Sequence, residues 1–261
     1  VENYERWRTG KYCNAEINQF RQHPKDHLES MEKAVVTAIQ QGKVNSREIV
    51  AMCVDTTGSS PLPLNRNGKA LALSDGFEEN PNAMMILWKD HTAIQEATEI
   101  NDLAHSEEIF DFTRFSGGIY SSEWYWSKIL HIARHDKGVK EAAHVWLEHC
   151  DWMTHILTGS KEVAHLRASR CASGHKAMWH EHWGGFPDNT FLRKLDPYLE
   201  KVKINLFTHT YTSDQAAGTL CPEWAKKLGL SENVIICVGL LDAHAEAIGA
   251  GVSEGALVRV M

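Results

Sequence analysis

Two runs of consecutive apolar residues, Ile49-Val-Ala-Met-Cys-Val54 and Val234-Ile-Ile-Cys-Val-Gly-Leu-Leu241, are each closed by an acid, Asp55 and Asp242. A strand with one face in water alternates apolar and polar residues. A run without that alternation predicts a strand covered on both faces by helices. Helical signals lie before, between and after the two runs. Leu28, Met31, Val35, Ala38 and Ile39 recur at helical spacing, with Asp26 placed as N-cap, Glu29 three residues on, and Gly42 as the stop. Helical patterns also cover 92–103 and most of 122–157, closing at Gly159, and another helix is expected to start at Asp242. Met84-Met-Ile-Leu87 reads as a strand, and Pro61–Leu64, the turn Asn65-Arg-Asn-Gly68 and Lys69–Leu73 read as a hairpin. Strands alternating with helices, plus one hairpin, predict an α/β fold with a mixed sheet flanked by helices. With no repeat and no linker, residues 1–261 are expected to form a single domain.

Composition narrows the class. Hydrophobic residues at 43% and charged residues at 23% exclude a disordered or fibrous chain. A formal net charge of -7 argues against a polybasic nucleic-acid or membrane-surface binder. The six cysteines form no C-x-x-C pair, and Cys53 and Cys237 fall inside strand patterns, so free thiols in a reducing cytoplasm are expected. No apolar stretch approaches the roughly 20 residues that span a bilayer. The expected partner is a small molecule, with no nucleic acid and no membrane.

Ligands of open α/β sheets bind beyond the carboxyl ends of the strands, where Asp55 and Asp242 both stand. Asp242 also opens a helix, whose dipole favours the ionised carboxylate, and such a carboxylate can take a proton from a substrate hydroxyl. Capping a helix or turn accounts for either acid equally well. Trp88 and Asp90 close the Met84–Leu87 pattern. A ring beside a carboxylate is one way to hold a sugar, the ring covering C–H groups and the carboxylate accepting from hydroxyls, but a tryptophan is more often core. The small residues of Asp55-Thr-Thr-Gly-Ser-Ser60 let backbone approach a ligand at Gly58. His175-Lys176-Ala-Met-Trp-His180-Glu181-His182 is the densest polar and aromatic cluster. Its histidines lack the H-E-x-x-H spacing, so no metal is assigned to them, whereas Lys176 suits a hydroxylated or phosphorylated ligand. P-loop, G-x-G-x-x-G and G-x-S-x-G motifs do not occur.

The pieces Arg21-Gln-His-Pro24, Val54-Asp-Thr-Thr-Gly58, Glu79-Asn-Pro-Asn-Ala83 with Leu87-Trp-Lys-Asp-His-Thr92, and Gly117-Gly-Ile-Tyr-Ser-Ser-Glu-Trp124 form the first half of an ordered set. Asp151-Trp-Met-Thr-His-Ile-Leu-Thr-Gly159, Ser173-Gly-His-Lys-Ala-Met-Trp179, Ala217-Gly-Thr-Leu220 and Leu241-Asp-Ala-His244 complete it. From about Gly10 to the last residue, the set resembles the N-terminal domain of the FGGY carbohydrate kinases. Asn80–Thr92 and Gly174–Trp179 are most similar to the members that act on L-ribulose.

The resemblance implies the actin-like, ribonuclease-H-like ATPase fold, with two such domains enclosing the active site. It implies that Asp242 is the general base, taking the proton of the 5-hydroxyl of L-ribulose as that oxygen attacks the γ-phosphate of ATP, with Mg2+ as the metal. It further implies that Lys176 holds sugar hydroxyls, that Trp88 lines the sugar pocket with Asp90 beside it, and that backbone near Gly58 touches the sugar. A kinase for D-ribulose or xylulose, or a sugar-binding module without catalysis, are the alternatives, and a homodimer is compatible with the family. The family's D-x-G-T-x-S phosphate loop does not precede Asp55. The resemblance therefore places that loop before Val1 and the adenine site after Met261. The chain is then expected to be a domain lacking its first strands and cut at both ends, inactive alone, with Ala256–Met261 an unfinished strand.

Overall fold

A computed structural model describes residues 1–253 and Gly255; the strand pattern at 256–261 lies outside the described residues. The two apolar runs lie side by side and parallel, each divided into two short strands. Ala51–Met52 pairs with Ile235–Cys237, and Asp55–Thr56 pairs with Leu240–Leu241, Leu240 standing opposite Asp55. Ala216–Thr219 adds an antiparallel neighbour to Ile235–Cys237, which makes the sheet mixed, as expected. The second run breaks where helix His149–Thr158 crosses it. A Cβ on Gly239 would stand 2.9 Å from both the Cβ and the carbonyl oxygen of Cys150, so the close crossing requires a glycine.

Burial on both faces does not hold for these strands. Val234, Ile236 and Val238 are buried, but Ile235 between them is exposed, and Val50 of the first run is 71% exposed. Side chains alternate across any strand, and helices cover only one of the two faces. That covered face holds a cluster of Leu157, Leu220, Trp224 and Leu228 with Val234 and Ile236, against which Leu28, Met31 and Val35 of helix Pro24–Gly42 pack.

Helix Pro24–Gly42 spans the expected residues, but its cap is different. His23 caps it, its Nδ1 accepting from the Lys25 amide at 3.1 Å. Asp26 sits within the first turn, almost fully buried, and accepts from the amides of Arg6 and Trp7 and from the Arg6 guanidinium. It pins the first residues of the chain across the helix start.

Two other expectations fail for one reason. Leu62–Leu64 is a strand, but Lys69–Leu73 is not its partner: a single bridge joins Leu64 to Ala70, and Leu71–Leu73 is a 3-10 turn. The partner is Val145–Leu147, antiparallel, inside the stretch read as helical. That stretch divides into helices Tyr125–His135, Lys137–Ala142 and His149–Thr158 around the strand. The pairing buries Trp146, whose indole N–H donates to the Tyr198 hydroxyl at 3.0 Å, within a main core that includes Trp126 and Trp152. No helix among the described residues is long and apolar enough to cross a membrane.

Candidate active site

Register brings the two terminal acids together. Asp55 lies opposite Leu240, and two residues later Asp242 opens helix Asp242–Gly249. Both carboxylates line one cleft of about 470 Å³, along with Trp88, His27 and His149. One oxygen of Asp242 accepts from the Ala243 amide at 2.8 Å. Trp88 is 43% exposed, its ring free to cover a ligand at the wall. His27 and His149 are buried with their rings 4.2 Å apart. Burial pushes His27 down to about 4 and His149 well below the usual imidazole range, so both are neutral near pH 7.

Gly58 follows Thr57, another lining residue, and packs on the strand end that carries Asp242. A Cβ there would come within 2.3 Å of the buried Leu241 side chain. Glycine thus allows the Asp55–Ser60 loop to lie flat against Leu241.

Lys176 lies near the end of helix Arg170–Ala177, outside the cleft lining, with its ammonium 5.2 Å from the Trp124 ring centroid. Burial lowers its pKa, while the carboxylates of Glu148, Glu123 and Asp242 oppose that shift. The backbone beneath it is fixed: the Tyr120 hydroxyl donates to the Lys176 carbonyl at 2.5 Å, and the Trp126 indole to the Ala177 carbonyl at 2.8 Å. The histidines of the same segment stack on aromatic rings, His180 on Phe115 at 4.2 Å and His175 edge-on to Trp124 at 4.9 Å.

Asp90 is not on the cleft wall. It is completely buried, ion-paired with Arg21, and accepts from the amides of Phe20 and Thr92 and from the Thr92 hydroxyl. Its lone pairs are taken by these donors, so it holds the backbone around Trp88 and does not face a ligand.

Sequence reasoning passed over Lys128 and Glu148. Lys128 is 1% exposed, and its ammonium donates to the carbonyls of Ser59 at 2.7 Å and Leu87 at 2.8 Å and reaches that of Trp88 at 3.5 Å. Glu148, also buried, accepts from the Ser59 hydroxyl and from the Ser60 amide at 2.7 Å. Burial pushes Lys128 well down and Glu148 up, and the charge of each opposes the shift of the other. No motif marks either residue, since their meaning lies in contacts 40–89 positions away.

Comparison with known proteins adds to this geometry. The family model described as FGGY family of carbohydrate kinases, N-terminal domain, matches residues 11–249. Ribulokinase from Vibrio parahaemolyticus is 47% identical over 261 residues, 99% of this chain and 46% of that protein. Ribulokinase from Shouchella clausii is 34% identical over 242 residues, 92% of this chain and 42% of that protein. The chain thus spans about half the length of the curated relatives it matches. Among solved structures, xylulose kinase from Rhodospirillum rubrum superposes with a TM-score of 0.70 at 15% identity, covering 91% of this chain and 43% of the other. Glycerol kinase from Plasmodium falciparum with ADP gives 0.67 at 14% identity, covering 90% and 42%. The fold is accordingly the actin-like one of these sugar kinases. With the family pattern running through residues 11–249, this chain belongs to the FGGY family of carbohydrate kinases and matches its N-terminal domain.

Proposed function

We propose that this chain is the sugar-binding domain of a longer two-domain kinase that transfers the γ-phosphate of ATP to the 5-hydroxyl of L-ribulose. The observation that carries the reading is the shared cleft of Asp242, Asp55 and Trp88 at the carboxyl ends of two parallel strands. Asp242 is the general base. One of its oxygens is engaged by the Ala243 amide, leaving the other to accept the hydroxyl proton. Trp88 covers the C–H face of the sugar, Lys176 donates to its hydroxyls, and backbone at Gly58 meets it from the side. Asp55, on the same cleft wall, offers a second carboxylate that would accept from a hydrated Mg2+ carrying phosphate oxygens. The ion, when bound, neutralises charge developing on the transferred phosphate. L-Ribulose is preferred among sugars because the relatives at 47% and 34% identity are both named ribulokinase.

Phosphoryl transfer depends mostly on positioning and charge, so removing the base slows the step without abolishing sugar binding. In the complete polypeptide, Asp242→Asn is expected to lower kcat by about 100-fold or more with the sugar Kd little changed. Normal turnover by that variant would refute the assignment of the base. Xylulose kinases share the fold at a TM-score of 0.70, so kcat/KM ranked across the four ketopentoses decides the sugar; L-ribulose is expected to lead.

A further inference from the structure

We infer that Lys128 is a positioning residue for the sugar: it fixes the gap between the Gly58–Ser60 loop and Trp88, and so sets the KM for the sugar and not that for the nucleotide. The inference rests on the kinase reading above. Ser59 follows strand Asp55–Thr56, which pairs with Leu240–Leu241. Leu87 and Trp88 follow strand Met85–Ile86, which pairs with Gln19–Gln22. These strands belong to different sheets, so no ladder sets the distance between the segments that follow them. A backbone bond from Ile86 to the Pro61 carbonyl, 2.9 Å, joins the segments farther along. At the cleft itself the link is the Lys128 ammonium, bonded to Ser59 on one side and to Leu87 and Trp88 on the other.

Among the described residues the partners of the Lys128 ammonium are backbone carbonyls, which call for a donor at each contact and suit an ammonium. Glu148 completes the arrangement from across the loop, holding the Ser59 hydroxyl and the Ser60 amide. Ser59 is therefore gripped from two directions while the neighbouring Gly58 faces Leu241. Ser59 and Ser60 are fully buried, so the loop cannot take its position from solvent contacts. Lys128 acts through the two walls and does not itself line the cleft.

A buried charge also contributes to stability, and the test must separate the two roles. Lys128→Met keeps the stem and removes the charge and its donors, but takes from the buried Glu148 the nearest opposing charge and leaves it the Ser59 hydroxyl, the Ser60 amide and the charge of Lys176. Adding Glu148→Gln removes that second charge at nearly constant volume. In the complete polypeptide, Lys128→Met is expected to lower Tm and to raise the sugar KM by about tenfold or more, because small displacements of positioning groups are costly. The KM for ATP and kcat at saturating sugar stay within about twofold, as expected when ground-state and transition-state binding are lost together. In the double variant Tm recovers, since no unpaired buried charge remains, but the sugar KM stays high. Recovery of the sugar KM together with Tm, or equal loss for sugar and nucleotide, or no change in sugar KM in either variant, overturns the inference. If Lys128→Met alone does not fold, the double variant carries the test. A wild-type protein that phosphorylates no ketopentose sinks the kinase reading first; an active wild type with kinetically silent variants sinks only the role of Lys128.

Discussion

Both ring nitrogens of His27 are buried without a hydrogen-bond partner among the described residues, and the ring sits between Tyr4 and His149 on the cleft wall. Its folded pKa of about 4 lies below the ordinary value of 6.5 because burial disfavours the charged ring. Between those values the unfolded chain binds a proton that the folded chain does not, so stability rises with pH across the window and is lost as pH falls from 6.5 to 4. The full span corresponds to about 3 kcal/mol. His27→Leu is expected to flatten the dependence of unfolding free energy on pH in that window, measured by denaturant titration at several pH values. Comparison with the parent is essential, because Asp151, pushed up to about 8 by burial, gives a slope of opposite sign. A variant as steep as the parent would place the titration elsewhere, with His149 the first candidate. At this scale the sequence showed some residues and hid others for identifiable reasons. Asp242 was legible because an acid after an apolar run marks a strand end, whereas Asp55, read the same way, opens a short strand of its own, Asp55–Thr56. Asp90 was misread because its partner Arg21 lies 69 positions away. Lys128 looked like any lysine on an amphipathic helix until the fold brought three carbonyls to it.

Among elements, the pair of short strands Ile235–Cys237 and Leu240–Leu241 depends on its crossing with helix His149–Thr158. The Cβ that Gly239→Ala would add meets backbone of Cys150 at 2.9 Å, and backbone cannot rotate aside as a long side chain can. The variant must separate strand from helix, and is expected to cost about 2 kcal/mol or more, the range of overpacked sites. Because Leu240 and Asp242 follow directly, sugar binding should weaken along with Tm. An unchanged Tm would mean that the crossing is looser than 2.9 Å implies. Elements differ in how far the sequence revealed them. Helix Pro24–Gly42 carries its own signal, with apolar residues at helical spacing and proline at its start. Val145–Leu147 has only three residues between helices, and what makes it a strand is Leu62–Leu64 on the far side of the chain. Lys69–Leu73 carries four consecutive apolar residues, but Asn65 Oδ1 accepts from the Asn67 and Lys69 amides, and the chain closes into a 3-10 turn.

For the molecule as a whole, the charges on the cleft wall determine which ligand these residues can hold alone. The lining carries Asp55 and Asp242 as carboxylates and Lys89 as a cation, while His27 and His149 are neutral. Lys89 is itself committed over aromatic rings, 4.5 Å from that of Phe20 and 5.3 Å from that of Trp7. A triphosphate needs several cations or backbone N–H donors, and this wall offers mostly acceptors. A sugar needs an aromatic face, a carboxylate and a few polar contacts, which the same wall supplies in Trp88 and Asp242. The 261-residue chain alone is therefore expected to bind L-ribulose weakly, seen as a change in tryptophan fluorescence, because cleft closure normally completes such a site. MgATP titrated calorimetrically into it should bind more weakly than about 1 mM, less than about 4 kcal/mol of affinity. The chain alone should transfer no phosphate, while a polypeptide of the relatives' full length should transfer it in the presence of sugar. The two measurements separate the outcomes. Sugar binding without nucleotide binding fits a wall specialised for the acceptor, whereas turnover of MgATP by these 261 residues would show that the wall handles the nucleotide too and that its two carboxylates are not the obstacle their charge implies.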